Sequence, residues 1–270
     1  MDINRDSLSK ILCTNNVKPD KDYGQNFLVE PEIAKRIVNS LDIKNEDRVI
    51  EVGPGLGSLT HFLVEATKDL TTVEIDEKMA NYIKDTYKGN NINVITNDIR
   101  KVDVSQYTKI ISNLPYNITT ELLQYFLING VSAKKMVFMI QSETFAHFYD
   151  VSGKEYGPTS VLVHLLGNIE KLFTVKAGCF YPAPKCNSTV FSIDLDTRVN
   201  RNNAISAFKL AKQLFINRRK TIQNNLTTYL GSKEEALVIC NKLGINPLLR
   251  PEQISPDLYL KMSSECNKKR

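Results

Sequence analysis

Ten consecutive residues indicate the fold of this chain: Arg48-Val49-Ile50-Glu51-Val52-Gly53-Pro54-Gly55-Leu56-Gly57. The first five, Arg48–Val52, predict a buried strand, and the glycines that follow predict a tight turn. Leu59, Phe62 and Leu63 then follow a helical period. A strand, a glycine-rich turn and a helix together form a place where a nucleotide-like ligand can lie against free backbone N–H groups.

The rest of the first two thirds predicts an α/β domain with a mainly parallel sheet, because short β-branched runs alternate with helical patterns. The further predicted strands are Thr71–Ile75, Ile92–Thr96, Lys109–Ser112, Lys135–Gln141 and Ser188–Leu195. The predicted helices cover Met79–Tyr87, Thr119–Ile128, 142–150 and 158–166. Two prolines, at 182 and 184, predict a loop over 178–188. From Asn203 onward the pattern is helical, and we expect a small all-helical C-terminal domain.

The composition is that of a globular protein with a full core. Of 270 residues, 42% are hydrophobic and 24% charged, which excludes a disordered tail or a fibre. No apolar run reaches the roughly 18 residues of a membrane span, and the N-terminal segment MDINRDSLSK lacks the apolar core of a secretory signal. The five cysteines form no C-x-x-C pair and the three histidines show no metal-ligand spacing. We expect a cytoplasmic protein without a metal or a membrane contact.

The net charge of +5 is divided unevenly along the chain. Residues 1–197 hold 21 Lys and Arg against 25 Asp and Glu, giving −4, whereas residues 198–270 hold 14 against 5, giving +9. A long stretch of one sign inside a folded segment favours a surface that faces a polyanion, and nucleic acid is the first candidate. We therefore predict two domains, a catalytic one over 1–197 and a basic helical one over 198–270.

The glycine spacing distinguishes two classes of cofactor. The dinucleotide fingerprint G-x-G-x-x-G requires a glycine at position 58, which is occupied by Ser58. The observed G-x-G-x-G, preceded by Glu51-Val52, is the form used by S-adenosylmethionine-dependent methyltransferases. Binding of NAD stays open as the alternative at this point.

Two acidic residues come at the ends of successive predicted strands. Glu74 lies 21 residues after Gly53, where a carboxylate can accept the two hydroxyls of a ribose. Asp98 ends the next strand and can accept a hydrogen bond from an adenine amine. Because carboxyl ends of parallel strands meet at one crevice, we expect both side chains to face the same ligand.

The tetrapeptide Asn113-Leu114-Pro115-Tyr116 follows the next strand and matches the [N/D/S]-P-P-[Y/F] type of loop, with Leu in place of the first proline. Enzymes that methylate exocyclic amino groups use this loop. The Asn113 side-chain oxygen and the Leu114 carbonyl can both accept hydrogen bonds from an amine, which directs its lone pair at the methyl group. Pro115 stiffens the loop, and the Tyr116 ring offers a stacking face worth about 1–3 kcal/mol per base.

These motifs make the chain similar to the KsgA/Dim family of ribosomal RNA adenine dimethyltransferases. The resemblance runs from about Tyr23 to Tyr259. Besides the loops above it rests on Q-N-F-L (25–28), F-Y-P-A-P-K-C-N-S (180–188), F-I-N-R-R-K-T-I-Q-N-N-L (215–226) and R-P-E-Q-I-S (250–255). The resemblance implies a Rossmann-like sheet that binds S-adenosylmethionine, and dimethylation of two adjacent adenosines in a hairpin loop near the 3′ end of small-subunit ribosomal RNA.

The resemblance also assigns residues to roles. The cofactor residues would be Asn26, Leu28, Gly53, Gly55, Gly57, Glu74, Ile75, Asp98, Ile99 and Asn113. The catalytic residues would be Asn113, Leu114, Pro115, Tyr116 and Phe180, with Phe180 as the second aromatic face around a flipped adenine. The RNA contacts would come from Arg218, Arg219, Lys220 and Lys185. The expected partner is a pre-ribosomal small subunit, bound by a monomer.

Three other readings share parts of this pattern. An Erm-type enzyme methylates large-subunit ribosomal RNA and has the same cofactor loop, although the segments at 215–226 and 250–255 favour the small-subunit family. A non-catalytic nucleic-acid-binding protein of the same fold is disfavoured by the intact Asn113, Tyr116 and Glu74. A nicotinamide-dependent oxidoreductase is disfavoured by Ser58.

Overall fold

The computed structural model of the chain describes Asn4, Leu8, Ile11, Leu12 and residues 26–268. Cys13, Tyr23 and Gln25 lie outside the described residues, as does most of the N-terminal segment MDINRDSLSK. The chain forms two compact units, Met1–Ser142 with Glu170–Leu195 and Glu143–Ile169 with Asp196–Arg270. The last passage of the chain from one unit to the other, after Leu195, lies two residues before the boundary predicted at 197. Residues 143–169, expected in the catalytic domain, instead group with the C-terminal helices.

The strands carry the first unit. Their bounds are β1 Phe27–Leu28, β2 Val49–Val52, β3 Leu70–Glu74, β4 Ile92–Thr96, β5 Lys109–Asn113, β6 Lys135–Gln141, β7 Gly167–Val175, β8 Phe180–Tyr181 and β9 Ser188–Leu195. Seven of them form one sheet in the order β4-β3-β2-β5-β6-β9-β7, and β1 pairs with β8 in a second, two-stranded sheet. The strands predicted from the sequence are confirmed to within two residues at their ends.

Parallel pairing and register set the position of the site. Strands β2 to β6 pair in parallel, and β9 runs antiparallel to β6. Val52 is in register with Val73 on one side and with Ser112 on the other, so Gly53, Glu74 and Asn113 follow at one edge of the sheet. The strand order reverses direction between β2 and β5, and open α/β sheets bind ligands at this switch point.

Some elements were not predicted, among them the nine-residue strand β7 and the two-residue strand β8. Strand β7 lies at the edge of the large sheet. Buried and exposed side chains alternate only over its first residues, because Glu170 and Lys171 are both exposed. Strand β8 falls inside the segment 178–188 that the prolines predict to be a loop. It has two residues, Phe180 and Tyr181, which pair antiparallel with Leu28 and Phe27. Such a short pair leaves no periodic signal in the sequence.

Ten α-helices of seven or more residues lie in the described part of the chain. They are α1 Pro31–Asn39, α2 Thr60–Ala66, α3 Glu77–Thr86, α4 Thr119–Asn129, α5 Ser142–Tyr149, α6 Pro158–Leu166, α7 Arg201–Phe215, α8 Ile222–Leu230, α9 Lys233–Lys242 and α10 Pro256–Asn267. Among the described residues, none of these helices is both long and apolar enough to cross a membrane.

Each unit has its own apolar core. In the first, residues of α1 and α2 such as Ile37 and Leu63 pack with Ile111 and Val137 of the sheet. In the second, the Phe215 ring lies 5.8 Å from that of Tyr156 and 6.1 Å from that of Tyr259, between ring centroids. Both tyrosine hydroxyls donate to backbone carbonyls, as buried hydroxyls generally must.

Candidate active site

A cavity of about 340 Å³ opens at the carboxyl edge of the sheet, at the switch point between β2 and β5. Of the residues assigned to the cofactor, it is lined by Asn26, Leu28, Gly53, Gly55, Glu74, Ile75, Asp98, Ile99 and Asn113. The loop residues Leu114, Pro115 and Tyr116 line it as well. The fold therefore brings most of the sequence-predicted residues to one place. Gly57 and Phe180 are not among the described residues of its wall.

The glycine turn is a left-handed backbone segment. Gly53, Gly55 and Gly57 have φ angles of +67°, +55° and +89°, a region that costs other residues about 1–2 kcal/mol each. A Cβ on Gly57 would lie 3.0 Å from Ile83 Cδ1 and 3.2 Å from the Tyr87 hydroxyl. Gly57 therefore permits the glycine turn to approach Ile83 of α3 and Tyr87 closely, and it is not among the residues that line the cavity.

Ser58 occupies the position that separates this loop from the dinucleotide fingerprint. Its Oγ donates a hydrogen bond of 2.8 Å to the carbonyl of Leu28 in β1. A glycine at this position lacks the hydroxyl that makes the bond. Ser58 thus ties the start of α2 to the segment Asn26–Leu28 that the resemblance places over the cofactor, and the sequence gives no local signal for that contact.

Glu74 is buried at the end of β3 and holds the glycine turn. Its Oε1 accepts from the N–H groups of Ile75 at 2.9 Å and Asp76 at 3.0 Å, and its Oε2 accepts from that of Gly55 at 3.1 Å. Burial raises the pKa of this carboxyl above its ordinary value, although the three donors oppose the shift. A carboxylate has about four acceptor sites, so Glu74 retains capacity for a ribose hydroxyl at the cavity.

Glu51 is a second buried carboxyl in the cavity wall, and no role had been predicted for it. It is 1% exposed and accepts a hydrogen bond of 2.7 Å from Thr60 Oγ1. Burial raises its pKa to about 8, with a smaller contribution from the charge of Glu74. Glu51 is therefore mostly protonated at neutral pH, which gives the cavity a carboxyl that can donate a hydrogen bond.

Asp98 caps the short 3-10 helix Ile99–Lys101 and binds Arg100. Its Oδ1 accepts from the Arg100 backbone N–H and from Nε, each at 3.0 Å. Arg100 also forms an ion pair with Glu121 of α4, in which Nη1 lies 2.7 Å from Oε1. The hydrogen bond from the guanidinium lowers the pKa of the Asp98 carboxyl, so Asp98 is ionised at the rim with a cation beside it. Arg100 lines the cavity too, although its place in the sequence predicts no role for it.

Asn113 carries the most informative atom of the site. Its Nδ2 donates to the carbonyl of Asn26 at 3.3 Å, while its Oδ1 is buried and has no hydrogen-bond partner among the described residues. A buried acceptor left without a donor costs about 1–3 kcal/mol. Because the residue lines the cavity, its Oδ1 is suited to accept a hydrogen bond from a bound amine.

Tyr116 is half-buried beside Asn113, and its hydroxyl lies 3.1 Å from Ser188 Oγ at the start of β9. Burial raises the pKa of the phenol, so Tyr116 is neutral at physiological pH. The loop is fixed further by Thr119, whose Oγ1 donates to the Pro115 carbonyl at 2.9 Å. Ser188 lies 72 residues from Tyr116, and this positioning contact was not predicted.

Phe180 does not reach the cavity in this structure. It is 1% exposed and packs in the apolar core with Leu28, Met139 and Val190. Its backbone pairs with Leu28, so it shares the two-stranded sheet with the segment over the cofactor site. Stacking of Phe180 on a flipped base stays a prediction, and it would require β8 to shift from this packing.

The predicted RNA residues have different surroundings. Lys185 is exposed in the loop before β9, and Arg219 and Lys220 are exposed in the turn after α7. None of the three has a carboxylate partner within the described part of the chain. Arg218 is instead engaged by its own unit: Nε lies 2.6 Å from Glu252 Oε2, and Nη2 donates to the Gly153 carbonyl at 2.6 Å. Arg218 therefore joins distant segments of its own unit, and its contact with RNA stays a prediction.

The described residues contain no group of three or more His, Cys, Asp or Glu side chains that could hold a metal ion. The cavity itself suits S-adenosylmethionine. Glycines leave the backbone accessible, Glu74 and Asp98 lie at successive strand ends, and the wall is mostly apolar. An orphaned acceptor on Asn113 adds a place for a polar group.

Comparisons with known proteins agree with this geometry. The family model described as ribosomal RNA adenine dimethylase matches residues 16–268. A relative from Malacoplasma penetrans, named ribosomal RNA small subunit methyltransferase A, is 36% identical over 254 residues and 92% of both chains. One of the same name from Fusobacterium nucleatum is 35% identical over 91% of this chain and 96% of its own.

Two solved structures share the fold. A dimethyladenosine transferase from Plasmodium falciparum has a TM-score of 0.76 at 24% identity, over 90% of this chain and 98% of its own. The 23S rRNA methyltransferase ErmE has a TM-score of 0.69 at 20% identity, over 90% of this chain and all of its own. The match of the family model across nearly the whole chain decides the assignment: the chain belongs to the ribosomal RNA adenine dimethylase family and is an S-adenosylmethionine-dependent rRNA adenine dimethyltransferase.

Proposed function

We propose that this enzyme dimethylates N6 of two adjacent adenosines in a hairpin loop near the 3′ end of small-subunit ribosomal RNA, within a pre-ribosomal small subunit. The observation that carries the proposal is the buried Oδ1 of Asn113, which has no partner among the described residues and lies in the cavity wall beside Tyr116. Relatives named for the small subunit support this substrate over the large-subunit RNA named for ErmE.

The difficulty of the reaction lies in the nucleophile. The lone pair of an adenine N6 amine is delocalised into the ring, so it attacks poorly until the nitrogen becomes more tetrahedral. In the first of the two transfers, Asn113 Oδ1 and the Leu114 carbonyl accept the two amine hydrogens and hold the lone pair towards the methyl group. Leu114 is kept in place by its own N–H, which donates to the Met139 carbonyl at 3.0 Å.

S-adenosylmethionine, when bound, supplies a methyl group already activated by a sulfonium. The protein therefore does not have to activate the methyl group; its task is to orient the amine, and the value of that task lies in pre-arranged geometry. Glu74 and Asp98 hold the two polar ends of the adenosyl group, while Asn26 and Leu28 cover it. Glu51, when protonated, can donate a hydrogen bond within the same wall. A single-stranded loop suits this site because unstacked bases are the least costly to extrude.

The RNA backbone is bound by Arg219, Lys220 and Lys185, three exposed cations for which the described structure shows no carboxylate partner. We further propose that the enzyme acts as a monomer in the cytoplasm, where ribosomal subunits are assembled.

Methyl transfer to isolated small and large subunits tests the substrate. We expect incorporation into the small subunit only, and dimethyladenosine at two adjacent positions by mass spectrometry of the RNA. Incorporation into the large subunit alone would contradict the proposal.

Asn113→Ala tests the chemistry. We expect turnover to fall by about 10²–10³-fold, the range for removing one pre-organised hydrogen-bonding group from an active site. The matched control is Asn129→Ala, which removes an exposed amide at the end of α4 and should keep turnover and fold. Near-normal turnover of Asn113→Ala would refute the proposed activation of the amine.

A further inference from the structure

A second cavity, of about 720 Å³, lies in the C-terminal unit and belongs to none of the functions described so far. It is bounded by α7, by α8, by the turn that joins them and by the last residue of α10. The lining residues are Ser206, Lys209, Gln213, Ile216, Asn217, Asn225, Thr228, Tyr229 and Asn267. We call this site the amide groove. Its volume falls within the roughly 300–1,000 Å³ of pockets for small organic ligands.

Helical spacing explains why these residues meet. Ser206, Lys209, Gln213 and Ile216 follow one another at intervals of three or four, so they share one face of α7 and the turn that continues it. Asn225, Thr228 and Tyr229 share a face of α8 in the same way. The groove therefore has two walls, each set by the register of a single helix.

The chemistry of the groove is uniform. Of its nine lining residues, four carry carboxamides and three carry hydroxyls, Lys209 is the one cation, and none is acidic. Carboxamides present donors and acceptors together, which is what the edge of a nucleobase requires of its binding site. The absence of carboxylates extends beyond the groove, since residues 198–232 contain no Asp or Glu.

One wall is fixed in advance. Asn225 is 3% exposed, and its Nδ2 lies 3.2 Å from the carbonyls of Asn217 and Lys220 and 3.1 Å from that of Thr221. These contacts tie the α7–α8 turn to α8. The same turn carries the exposed Arg219, which is not a lining residue, so the hydrogen bonds that fix the turn also fix the backbone of a cation for an adjoining phosphate.

The groove also offers surfaces for a ring. Ile216 is 70% exposed at its edge, and Tyr229 lies in the opposite wall. An aromatic side chain beside amides and a lysine is the combination that binds an unstacked base in single-stranded RNA. A protein partner is less well matched, because Ile216 is the only large aliphatic anchor among the lining residues and protein interfaces centre on desolvated apolar clusters.

We propose that the amide groove binds one unpaired nucleotide of the RNA, with its base among the carboxamides and its phosphate at Lys209. The inference rests on the proposed function, since it identifies a second RNA-binding element of the same enzyme. The site would read a nucleotide that is not the methylated one, in a unit separate from the active-site cavity.

Gln213→Glu tests this proposal with an almost unchanged shape. Gln213 is exposed on α7, so the fold should persist, while the new carboxylate repels phosphate in an acid-free groove. The control, Asn241→Asp, makes the same change in charge at an exposed position of α9 outside the groove. The probes are four fluorescent RNA pentamers, each of a single base, titrated by anisotropy against the full chain.

We expect Gln213→Glu to weaken the best-bound pentamer about tenfold, as loss of one stacked base does, and Asn241→Asp to leave it unchanged. Photo-cross-linking of a 4-thiouridine pentamer should label the peptide that holds Gln213 and Asn217 or the one that holds Tyr229. Methylation of small-subunit RNA by the unaltered enzyme is measured in parallel, so that failure of the proposed function is seen separately.

Equal binding of the pentamers by Gln213→Glu and the unaltered enzyme would overturn the groove proposal even if methylation is normal. It would also be overturned if Gln213→Glu weakened binding to intact subunits but not to protein-free RNA, since the groove would then hold a ribosomal protein. Weakened pentamer binding without any small-subunit methylation would support the groove and refute the proposed function.

Discussion

The ion pair between Arg218 and Glu252 allows two roles of a basic residue to be distinguished by experiment: binding of RNA phosphate and stabilisation of the protein. If Arg218 binds phosphate, its removal should change RNA binding; if it joins segments of the protein, its removal should change stability. Its guanidinium contacts Glu252 and the carbonyl of Gly153, which are 34 and 65 residues away in sequence. We expect the second outcome for Arg218→Gln and the first for Arg219→Gln, made in the same turn.

The magnitude follows from the burial of the pair. The side chains of Arg218 and Glu252 are 35% and 22% exposed. Their burial is therefore intermediate between that of fully exposed ion pairs, which are worth about 0.2–1 kcal/mol, and that of buried charged hydrogen bonds, which are worth about 1.5–3 kcal/mol. After allowance for solvent screening, Glu252→Gln should cost about 1 kcal/mol. Arg218→Gln also loses the bond to Gly153 and should cost about 2 kcal/mol. At about 2–4 °C per kcal/mol for a chain of this size, the midpoint should fall by about 4–8 °C for Arg218→Gln.

The assay combines thermal unfolding with RNA binding over a range of salt concentrations. Arg218→Gln should lower the midpoint and keep the slope of log Kd against log salt. Arg219→Gln should keep the midpoint and reduce that slope by roughly 0.7–0.9, the value of one phosphate contact. A variant of Arg218 that unfolds normally and flattens the salt slope would refute the structural role.

Three other perturbations follow from the site. Ser188→Ala removes the partner of the Tyr116 hydroxyl and should raise the KM for RNA severalfold, as expected for a hydrogen bond worth about 0.5–1.5 kcal/mol. Calorimetry should show unchanged binding of S-adenosylmethionine. An unchanged KM would mean that the Tyr116 ring does not depend on this hydrogen bond. The raised pKa of Glu51, about 8, predicts a stability contribution that is complete below its ordinary pKa near 4.5 and lost as pH rises through 8. Glu51→Gln should therefore gain in melting temperature relative to the unaltered enzyme between pH 5 and pH 8.5, and a constant difference would contradict a neutral Glu51. Gly57→Ala should lower the free energy of unfolding, measured in urea, by more than Gly53→Ala does. Both substitutions place a Cβ at positive φ, but of these two positions Gly57 is the one where the Cβ also lacks space. Equal losses of stability would argue against the packing role of Gly57.

The residues that sequence could assign are those whose signal is local. Gly53, Glu74 and Asn113 each follow a buried strand, and parallel pairing in register is enough to bring strand ends together. Periodicity alone therefore predicts that they share a crevice. Their chemistry follows from residue type, as the orphaned acceptor of Asn113 shows.

Contacts between residues that are far apart in the sequence cannot be predicted from local periodicity or residue type. Ser188 meets Tyr116 across 72 residues and Arg218 meets Glu252 across 34, and no periodic pattern encodes either pair. The number of basic residues predicted a polyanion-facing surface, yet charge counting cannot tell a lysine in solvent from an arginine already paired. Phe180 fits an aromatic stacking role by its place in a motif, whereas the structure gives it a core position.

The division of the chain into two interleaved units has a consequence for its synthesis. Helix α6 emerges from the ribosome before the last strand of the catalytic sheet, but its packing partner α7 is made only after that strand. During this interval Val161, Leu162 and Leu165 have no finished core to enter. A nascent chain of about 197 residues therefore holds α6 without its packing partner, and the core of the second unit can be completed only after α7 has been made.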